Sequence, residues 1–349
     1  MEKRVLYAVL NWGLGHATRS VPIIESLLHF GAQVEITSSG MALSYLKNRF
    51  PALHCHQLPD REVLYSKKGA KSGLIKRALV QSTINSEQNR FVAKLVEESG
   101  FTHIVSDNVY GAYHQRIPSA LISHQLSLKV LFGESLINTK LAGWINRFSA
   151  VWIPDGPNQL VSGILASSQK VNIPKRHLGI PSRFVVDHTA KKRYRIGLVL
   201  GGPEPQRSIL EENLLNILKQ IEGKKIVFRG SDRKDDLEME NTEFHQIGDG
   251  DEMARALIAC DLVIGRSGYS SICDLLALGS RALLIPTPNQ SEQEYLATRM
   301  RKSPQFSSIS QEKVNADVIR RTLNKSSEPI EKFTFFKSDS KVVREFLTS

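Results

Sequence analysis

The chain reads LVIGRSGYSSICD at residues 262–274. Its first three residues are apolar and end at a glycine, which indicates a short buried strand. Gly265 and Gly268 let the following turn approach a ligand closely, and a helix is predicted over Ser271–Leu278. The unpaired amides at a helix start suit an anion, although Ser271 and Asp274 also have the spacing of a capping box. The stretch predicts a parallel α/β sheet with a ligand-binding turn after one strand.

Apolar strands alternate with amphipathic helices twice along the chain. Because they lack polar alternation, the strands are expected to be buried on both faces, as in parallel sheets covered by helices. Strands are predicted at Val5–Leu10, Gln33–Thr37, His103–Ser106, Ser119–Ser123 and Ala150–Ile153, then at Arg195–Leu200, Lys225–Phe228, Glu243–Gln246, Leu262–Ile264 and Ala282–Ile285. Helices are predicted at Val21–Phe30, Gln88–Glu98, Ile209–Gln220, Glu252–Ala259, Ser271–Leu278 and Glu292–Met300.

This alternation predicts an α/β protein with two Rossmann-like domains facing across a cleft. We expect an N-terminal domain over residues 1–180, a linker over 181–192 and a C-terminal domain over 193–349. The last helix is a candidate to return to the first domain. Open α/β sheets bind ligands beyond the carboxyl ends of their strands, so the loops that follow strands are the places to search for a site.

The composition of the chain limits the classes of location and partner that it can have. The 349 residues carry a net charge of +11 and contain three cysteines, an odd number that argues against a disulfide frame. No run approaches the roughly 18 apolar residues of a membrane-spanning helix. We therefore expect a cytoplasmic protein, with the inner face of the cell membrane as a further candidate location. The basic clusters lack interleaved aromatic residues, which excludes nucleic acid as the favoured partner and leaves phosphorylated small molecules or an anionic membrane.

One basic segment has the composition of a membrane contact. Residues 67–80 combine five cations with apolar residues, and Ile75 and Leu79 would lie side by side on a helix beneath a basic rim. The alternative is an ordinary helix whose apolar side packs into the core.

Two motifs invite a metal interpretation, and the sequence favours neither. His54 and His56 share one face of a strand, but no second pair of ligands lies nearby. The acidic run Asp232–Asp236 lies in a charged loop, where a solvated turn explains it better. No metal and no cofactor is therefore expected.

A second loop, Ile285–Ala297, leaves the next strand and places Gln293 and Glu294 near a helix start. Together with the first loop it resembles the donor-site signature of the glycosyltransferase B fold. The resemblance is to family 28, typified by the peptidoglycan N-acetylglucosaminyltransferase. It is carried by Arg266-Ser267-Gly268, an acidic residue six positions later (Asp274), a proline after the next strand (Pro286) and the pair Gln293-Glu294. Glu294 stands where the peptidoglycan enzyme more usually has Gln.

The resemblance implies a role for each residue of this signature. Asp274 would hold the ribose hydroxyls, Ser267 and Gly268 would line the diphosphate side, and Arg266 is a further donor-binding candidate. Gln293 and Glu294 would contact the transferred sugar. Met253, in the segment Gly250–Met253, would lie at the nucleobase, which favours uracil.

The loop after the strand Arg195–Leu200 is a further candidate for phosphate binding. The family has a glycine-rich turn here, represented by Gly202, but this chain adds Pro203, Pro205 and a glutamate. Arg207 would compensate, since a charged hydrogen bond contributes about 1.5–3 kcal/mol. Ser208 and Glu211 have capping-box spacing, which predicts a helix start at Ser208.

The loop at residues 11–19 would supply the catalytic base. His16 suits this role because the ordinary pKa of histidine, roughly 6.5, lies near neutrality. Gly15 and Arg19 would contact donor phosphate. By resemblance, Asp107 and His124 would line the acceptor pocket: Asp107 could orient or share the role of His16, and His124 is a second candidate base. His16 could alternatively contact the donor phosphate, and a capping or structural hydrogen-bonding role is the alternative for each of these residues.

The sequence therefore predicts an inverting, metal-independent glycosyltransferase. It would move a sugar from a nucleotide diphosphate donor, UDP-sugar by preference, to a hydroxyl of a lipid-linked or small acceptor. The main alternative is a nucleotide-sugar hydrolase with the same architecture, because some hydrolases share the Gly15-His16-x-x-Arg19 loop. A 2-epimerase and a non-catalytic sugar-nucleotide binder are further alternatives.

Overall fold

A computed structural model describes residues 2–60, 74–128, 133–184, 191–202, 204–231, 237–246, 248, 250–325 and 333–349, without the side chains of 74–79. Residues 67–73 of the proposed membrane segment lie outside this part, and so do the acidic run Asp232–Asp236 and Pro203, whereas residues 74–80 of that segment are helical. Within the described part, no helix has both the length and the apolar content needed to cross a membrane.

The first unit is built on a seven-stranded parallel sheet with the order β3-β2-β1-β4-β5-β6-β7. Its strands are β1 (Arg4–Val9), β2 (Gln33–Ser38), β3 (Cys55–Gln57), β4 (His103–Asp107), β5 (Ser119–Ile122), β6 (Ala150–Ile153) and β7 (Lys175–His177). Its helices include α1 (Gly15–His29), α2 (Gly40–Arg49), α3 (Leu74–Ser99) and α4 (Glu134–Ile145), with a 3₁₀ turn at Gly163–Ala166.

The second unit, Arg183–Lys332, is built on a six-stranded parallel sheet with the order β10-β9-β8-β11-β12-β13. Its strands are β8 (Tyr194–Val199), β9 (Lys225–Phe228), β10 (Thr242–His245), β11 (Cys260–Gly265), β12 (Ala282–Leu284) and β13 (Phe306–Ser308). Its helices include α5 (Gln206–Leu218), α6 (Gly250–Ile258), α7 (Tyr269–Ala277), α8 (Ser291–Met300) and α9 (Ala316–Leu323), with a 3₁₀ turn at Gln311–Lys313.

Helices cover both faces of the first sheet. Tyr7 of β1 packs in one cluster with Ile23 of α1, whereas the next residue back, Leu6, packs in another with Val92 of α3. The chain returns to this unit at its end: the segment Phe333–Ser349 belongs to it, and helix α10 (Lys341–Phe346) buries Phe346 in the α1 cluster. Burial on both faces is what the uniformly apolar strands predicted, and the α/β class with two Rossmann-like units is confirmed.

The strands that the sequence did not predict have a common cause. Strands β3, β7 and β13 have three residues each and lie at sheet edges. Because an edge strand pairs with one neighbour and is only partly covered, it needs no continuous apolar run. Helices α2, α4 and α9 were missed for other reasons, and α1 begins at Gly15 rather than at Val21.

Candidate functional site

The strand order of the first sheet brings the predicted catalytic residues together at the carboxyl ends of its strands. Strands β1 and β4 are neighbours, and the chain builds outward from them in opposite directions, which makes this the point where ligands bind in open α/β sheets. His16 lies in the first turn of α1, just after β1, and Asp107 is the last residue of β4. Both therefore lie at the carboxyl ends of these two strands.

Asp107 is completely buried and is the centre of a charged network. His16 Nδ1 lies 2.7 Å from Asp107 Oδ1, and Arg19 Nε donates to Asp107 Oδ2 at 2.7 Å. Arg19 Nη2 also donates to Oδ1, and Ser20 Oγ donates to Oδ2 at 3.2 Å. Burial alone would raise the pKa of Asp107, but the charges and hydrogen bonds of Arg19 and His16 together hold it well below its usual range. The carboxylate is therefore ionised.

The ionised carboxylate fixes the tautomer of His16. His16 Nδ1 and Asp107 Oδ1 lie 2.7 Å apart, so one of the two atoms must carry a proton. Because the carboxylate is ionised, His16 Nδ1 carries the proton and donates to Asp107. Arg19 Nη2 also lies 2.9 Å from Nδ1, but the charged oxygen of Asp107 is its better acceptor. The lone pair of a neutral His16 is then on Nε2. Burial, followed by the charge of Arg19, lowers the pKa of His16, so the ring keeps this basic form at neutral pH.

His124, which follows β5, has the opposite tautomer. Its Nδ1 lies 2.9 Å from Arg19 Nη1, and a guanidinium can only donate, so Nδ1 accepts. The proton of a neutral His124 ring is therefore on Nε2. This arrangement makes Nε2 of His124 a donor and Nε2 of His16 an acceptor, and it favours His16 as the base.

The second sheet brings together three of the predicted donor loops. Strands β8 and β11 are neighbours, and the chain adds its other strands outward from them in opposite directions. Strand β12 lies next to β11. Arg266, after β11, donates to the carbonyl of Gln206 at 2.9 Å and to that of Pro286 at 3.2 Å. One guanidinium thus ties together the loops that follow these three strands.

Arg266 is a buried cation whose partners among the described residues are all uncharged. The side chain is buried, its partners are backbone carbonyls, and its Nε makes no hydrogen bond. Among the described residues, no carboxylate lies within ion-pairing distance of it. Burial lowers its pKa to about 10, which leaves it protonated at neutral pH. A buried positive charge beneath three loops attracts an anionic ligand.

Helix α7 begins at Tyr269, with Gly268 as the N-cap and no side-chain cap. Ser271 is therefore inside the first turn, and the capping box between Ser271 and Asp274 does not form. Ser267 is buried and its Oγ donates to the carbonyl of Gln293 at 2.8 Å, which joins this turn to α8. The start of α7 thus has the uncapped geometry that an anion site requires.

Arg183 connects two of the predicted nucleotide-binding residues, and it was not predicted as a site residue. Its Nε donates to Asp274 Oδ2 at 3.2 Å, its Nη1 to the carbonyl of Gly248 at 3.3 Å, and its Nη2 lies 3.6 Å from Met253 Sδ. The residue falls in the segment predicted as a linker, within a chain rich in cations. Only the spatial proximity to Asp274 distinguishes Arg183 from the other basic residues.

The loop after β8 differs from the predicted phosphate turn. Gly202 has φ +99°, a conformation that favours glycine, but Arg207 is buried between Glu204 at 2.7 Å and Glu211 at 3.0 Å. The predicted helix start at Ser208 is wrong: α5 begins at Gln206, because Glu211 forms these buried ion pairs instead of capping the helix. Arg207 thus has carboxylate partners in place of the phosphate that the sequence predicted.

Gln293 and Glu294 lie in the first turn of α8, and each side chain accepts a hydrogen bond from the loop before the helix. Gln293 Oε1 accepts from the backbone N–H of Thr287 at 2.9 Å, and Glu294 Oε1 accepts from that of Asn289 at 3.1 Å. Gln293 is half-buried beside Ser267, whereas Glu294 is exposed. The structure places Gln293, rather than Glu294, next to the turn after β11.

The chain matches two glycosyltransferase family models. Residues 198–345 match the glycosyltransferase family 28 C-terminal domain, and residues 3–122 match glycosyl transferase family 1. The chain is a glycosyltransferase B-fold protein of the family 28 type. The first match includes the loops after β8, β11 and β12, and the second includes His16 and Asp107 but ends before His124.

A curated relative from Sulfurihydrogenibium sp. is a UDP-N-acetylglucosamine–N-acetylmuramyl-(pentapeptide) pyrophosphoryl-undecaprenol N-acetylglucosamine transferase. It is 27% identical over 161 residues, which is 43% of this chain and 46% of the relative. The match thus spans less than half of that relative's length.

Solved structures share the fold over almost the whole chain. The glycotransferase of kitacinnamycin has a TM-score of 0.66 at 15% identity and covers 99% of this chain and 93% of its own. Spinosyn rhamnosyltransferase SpnG, complexed with thymidine diphosphate, has a TM-score of 0.64 at 13% identity, with 99% and 95% covered.

Proposed function

We propose that this protein transfers a sugar from a nucleotide diphosphate sugar to an acceptor hydroxyl. The observation that carries the proposal is the buried charge of Arg266 beneath the three loops of the second unit, which no carboxylate of the described residues neutralises. A nucleotide diphosphate is the anion that such a site in this family would take. In the same protein, the first unit offers a histidine whose tautomer suits a base.

In the proposed reaction, His16 Nε2 takes the proton of the acceptor hydroxyl as its oxygen attacks the anomeric carbon. The bond from that carbon to the diphosphate oxygen breaks, and its electron pair leaves with the nucleotide diphosphate. Asp107 stabilises the imidazolium that forms, because it accepts from His16 Nδ1. A single displacement of this kind inverts the anomeric configuration. His124 would donate from Nε2 to a substrate oxygen.

On the donor side, the charge that develops on the diphosphate would be stabilised by Arg266 and by the amides at the start of α7. Fixed donors of this kind lower a barrier without reorganisation, so we propose that no metal is needed for departure. Asp274, held by Arg183, would accept from the ribose hydroxyls. Met253 would lie at the nucleobase.

The proposed nucleobase, diphosphate and acceptor rest on the names of similar proteins. The Sulfurihydrogenibium protein is named for a UDP-sugar donor and an undecaprenol-linked acceptor, which supports uracil and a lipid-linked acceptor here. The thymidine diphosphate bound to spinosyn rhamnosyltransferase supports the diphosphate itself. A lipid-linked acceptor would place the protein at a membrane face.

Calorimetric binding of UDP and of uridine tests the donor site. We expect UDP to bind more tightly than uridine, and Arg266→Met to reduce UDP affinity at least tenfold while uridine affinity changes little, since a charged hydrogen bond is worth about 1.5–3 kcal/mol. Equal loss for both ligands would show that Arg266 only supports the fold. No binding of any nucleotide diphosphate to the wild type would refute the proposal.

A further inference from the structure

A second cluster of chemically active side chains lies away from the residues used above. Glu35 of β2, His54 and His56 place their ligating atoms within 4.8 Å of one another. The sequence put the two histidines on one face of a strand but offered no third ligand. The pairing of β2 with β3 supplies it: Ile36 N–H donates to the carbonyl of His54 and Thr37 pairs with His56, so Glu35 shares their face.

The distances between the side chains of this cluster are close to those in a site that holds an ion. His56 Nε2 lies 2.8 Å from Glu35 Oε2, and the centroids of the His54 and His56 rings are 4.5 Å apart. The second carboxylate oxygen, Oε1, accepts from Arg4 at 2.7 Å. A carboxylate with one oxygen held by a neighbouring donor and the other facing two imidazoles has the support that metal-ligating carboxylates usually show.

The donor set identifies the class of ion. Two imidazole nitrogens and one carboxylate oxygen are the three protein ligands of many zinc sites, with water in the fourth position. A nitrogen-rich set also favours Ni²⁺ and Cu²⁺ over Mg²⁺ or Ca²⁺, which prefer oxygen. His54 is exposed, so an ion reaches the cluster without opening the core.

We propose that Glu35, His54 and His56 bind a divalent transition-metal cation, for which Zn²⁺ is the test ion. The ion replaces the proton that His56 shares with Glu35, while Arg4 keeps its hold on Oε1. The bound ion joins the edge strand β3 to β2. This places the ion apart from the proposed catalytic residues, because Arg4 begins β1 and Glu35 is the third residue of β2, whereas Asp107 is the last residue of β4.

The test uses the untagged full-length chain, stripped with EDTA and titrated with Zn²⁺ against a chromophoric chelator. We expect one equivalent bound with micromolar affinity, and at least tenfold weaker binding in His54→Gln, His56→Gln and Glu35→Gln. His29→Gln is the matched control, since His29 is exposed at the end of α1 in the same unit. Its affinity should equal that of the wild type.

Thermal melting gives a second measurement that does not depend on the competing chelator. Zn²⁺ should raise the melting temperature of the wild type and of His29→Gln, because an ion that binds only the folded state stabilises it. It should not raise that of the double variant His54→Gln/His56→Gln, whose circular dichroism should match the wild type. Absence of saturable binding, or equal affinity in wild type and double variant, would overturn the proposal.

Discussion

The substitution Asp107→Asn tests the assigned tautomers most severely. Asp107 accepts from Arg19 Nε and Ser20 at Oδ2, and from His16 and Arg19 Nη2 at Oδ1. An asparagine has one oxygen for these two positions. An amide oxygen at the Oδ2 position keeps the bonds from Arg19 Nε and Ser20 and loses only the one from Arg19 Nη2, because His16 can move its proton, so we expect the amide nitrogen to face His16. That nitrogen would donate to His16 Nδ1 and shift the ring proton to Nε2.

Two magnitudes follow from this geometry. Arg19 is 3% exposed and would lose its counter-charge, and breaking a buried pair in this way costs about 3–5 kcal/mol of stability. The proton on Nε2 would remove the base, and kcat should fall by about 10³- to 10⁴-fold, as when an aspartate that fixes a catalytic histidine is replaced. UDP binding by the second unit should change little.

The assay is steady-state release of UDP from a UDP-sugar with acceptor present, alongside a urea melt and a UDP titration. Asp155→Asn is the matched control: Asp155 is also fully buried in the first unit, but its partners are the backbone N–H groups of residues 156, 161 and 162 and the hydroxyl of Ser162. It should lose stability and keep its kcat. A kcat within threefold of wild type for Asp107→Asn, or equal losses in the two variants, would refute the tautomer argument.

Three further predictions concern single features of the site. Because burial and Arg19 lower the pKa of His16, the acid limb of kcat/KM should lie below pH 6.5, and Arg19→Gln should move it to higher pH. Arg183→Ala and Asp274→Asn should each weaken UDP binding about tenfold, and the double variant should lose little more, since the two side chains act as a pair. Gly202→Ala should destabilise the protein by about 1 kcal/mol through backbone strain, because its φ is +99° and the space around it is open.

Each of these has a control or a contradicting result. An acid limb that stays in place in Arg19→Gln would separate the pH dependence from His16. Fully additive losses of UDP affinity would show that Arg183 and Asp274 act independently. Arg195→Ala removes an exposed ion pair with Asp261 in the same unit and should leave UDP affinity unchanged. A Gly202→Ala melt that matches wild type would show that the loop adapts.

The central strands of both sheets could be predicted because burial on two faces leaves an apolar run that the sequence displays directly. The predicted strand at Lys225–Phe228 matches β9, and Ala150–Ile153 matches β6. Strands β3 and β13 depend on pairing with a neighbour, which no local pattern records. The same reason explains Glu35: its closeness to His54 exists only in the register between β2 and β3.

Part of the candidate site was predictable and part was not. The residue types after each strand indicated His16, Asp107 and Arg266, since loops at the carboxyl ends of strands converge in this class of fold. The partners of those side chains were not predictable. Arg207 looked like a phosphate ligand in the sequence, but its pairing with Glu211 is a contact of the folded protein.

The most direct test of the central claim is the fate of the sugar. A UDP-sugar panel would be incubated with the wild type and with His16→Gln, with and without a lipid-linked acceptor, and followed by NMR. We predict that UDP appears only when the acceptor is present, that the glycoside formed has the inverted anomeric configuration, and that His16→Gln abolishes turnover. Rapid release of free sugar without acceptor would instead identify a hydrolase, and unchanged turnover in His16→Gln would contradict the role of His16 as the base.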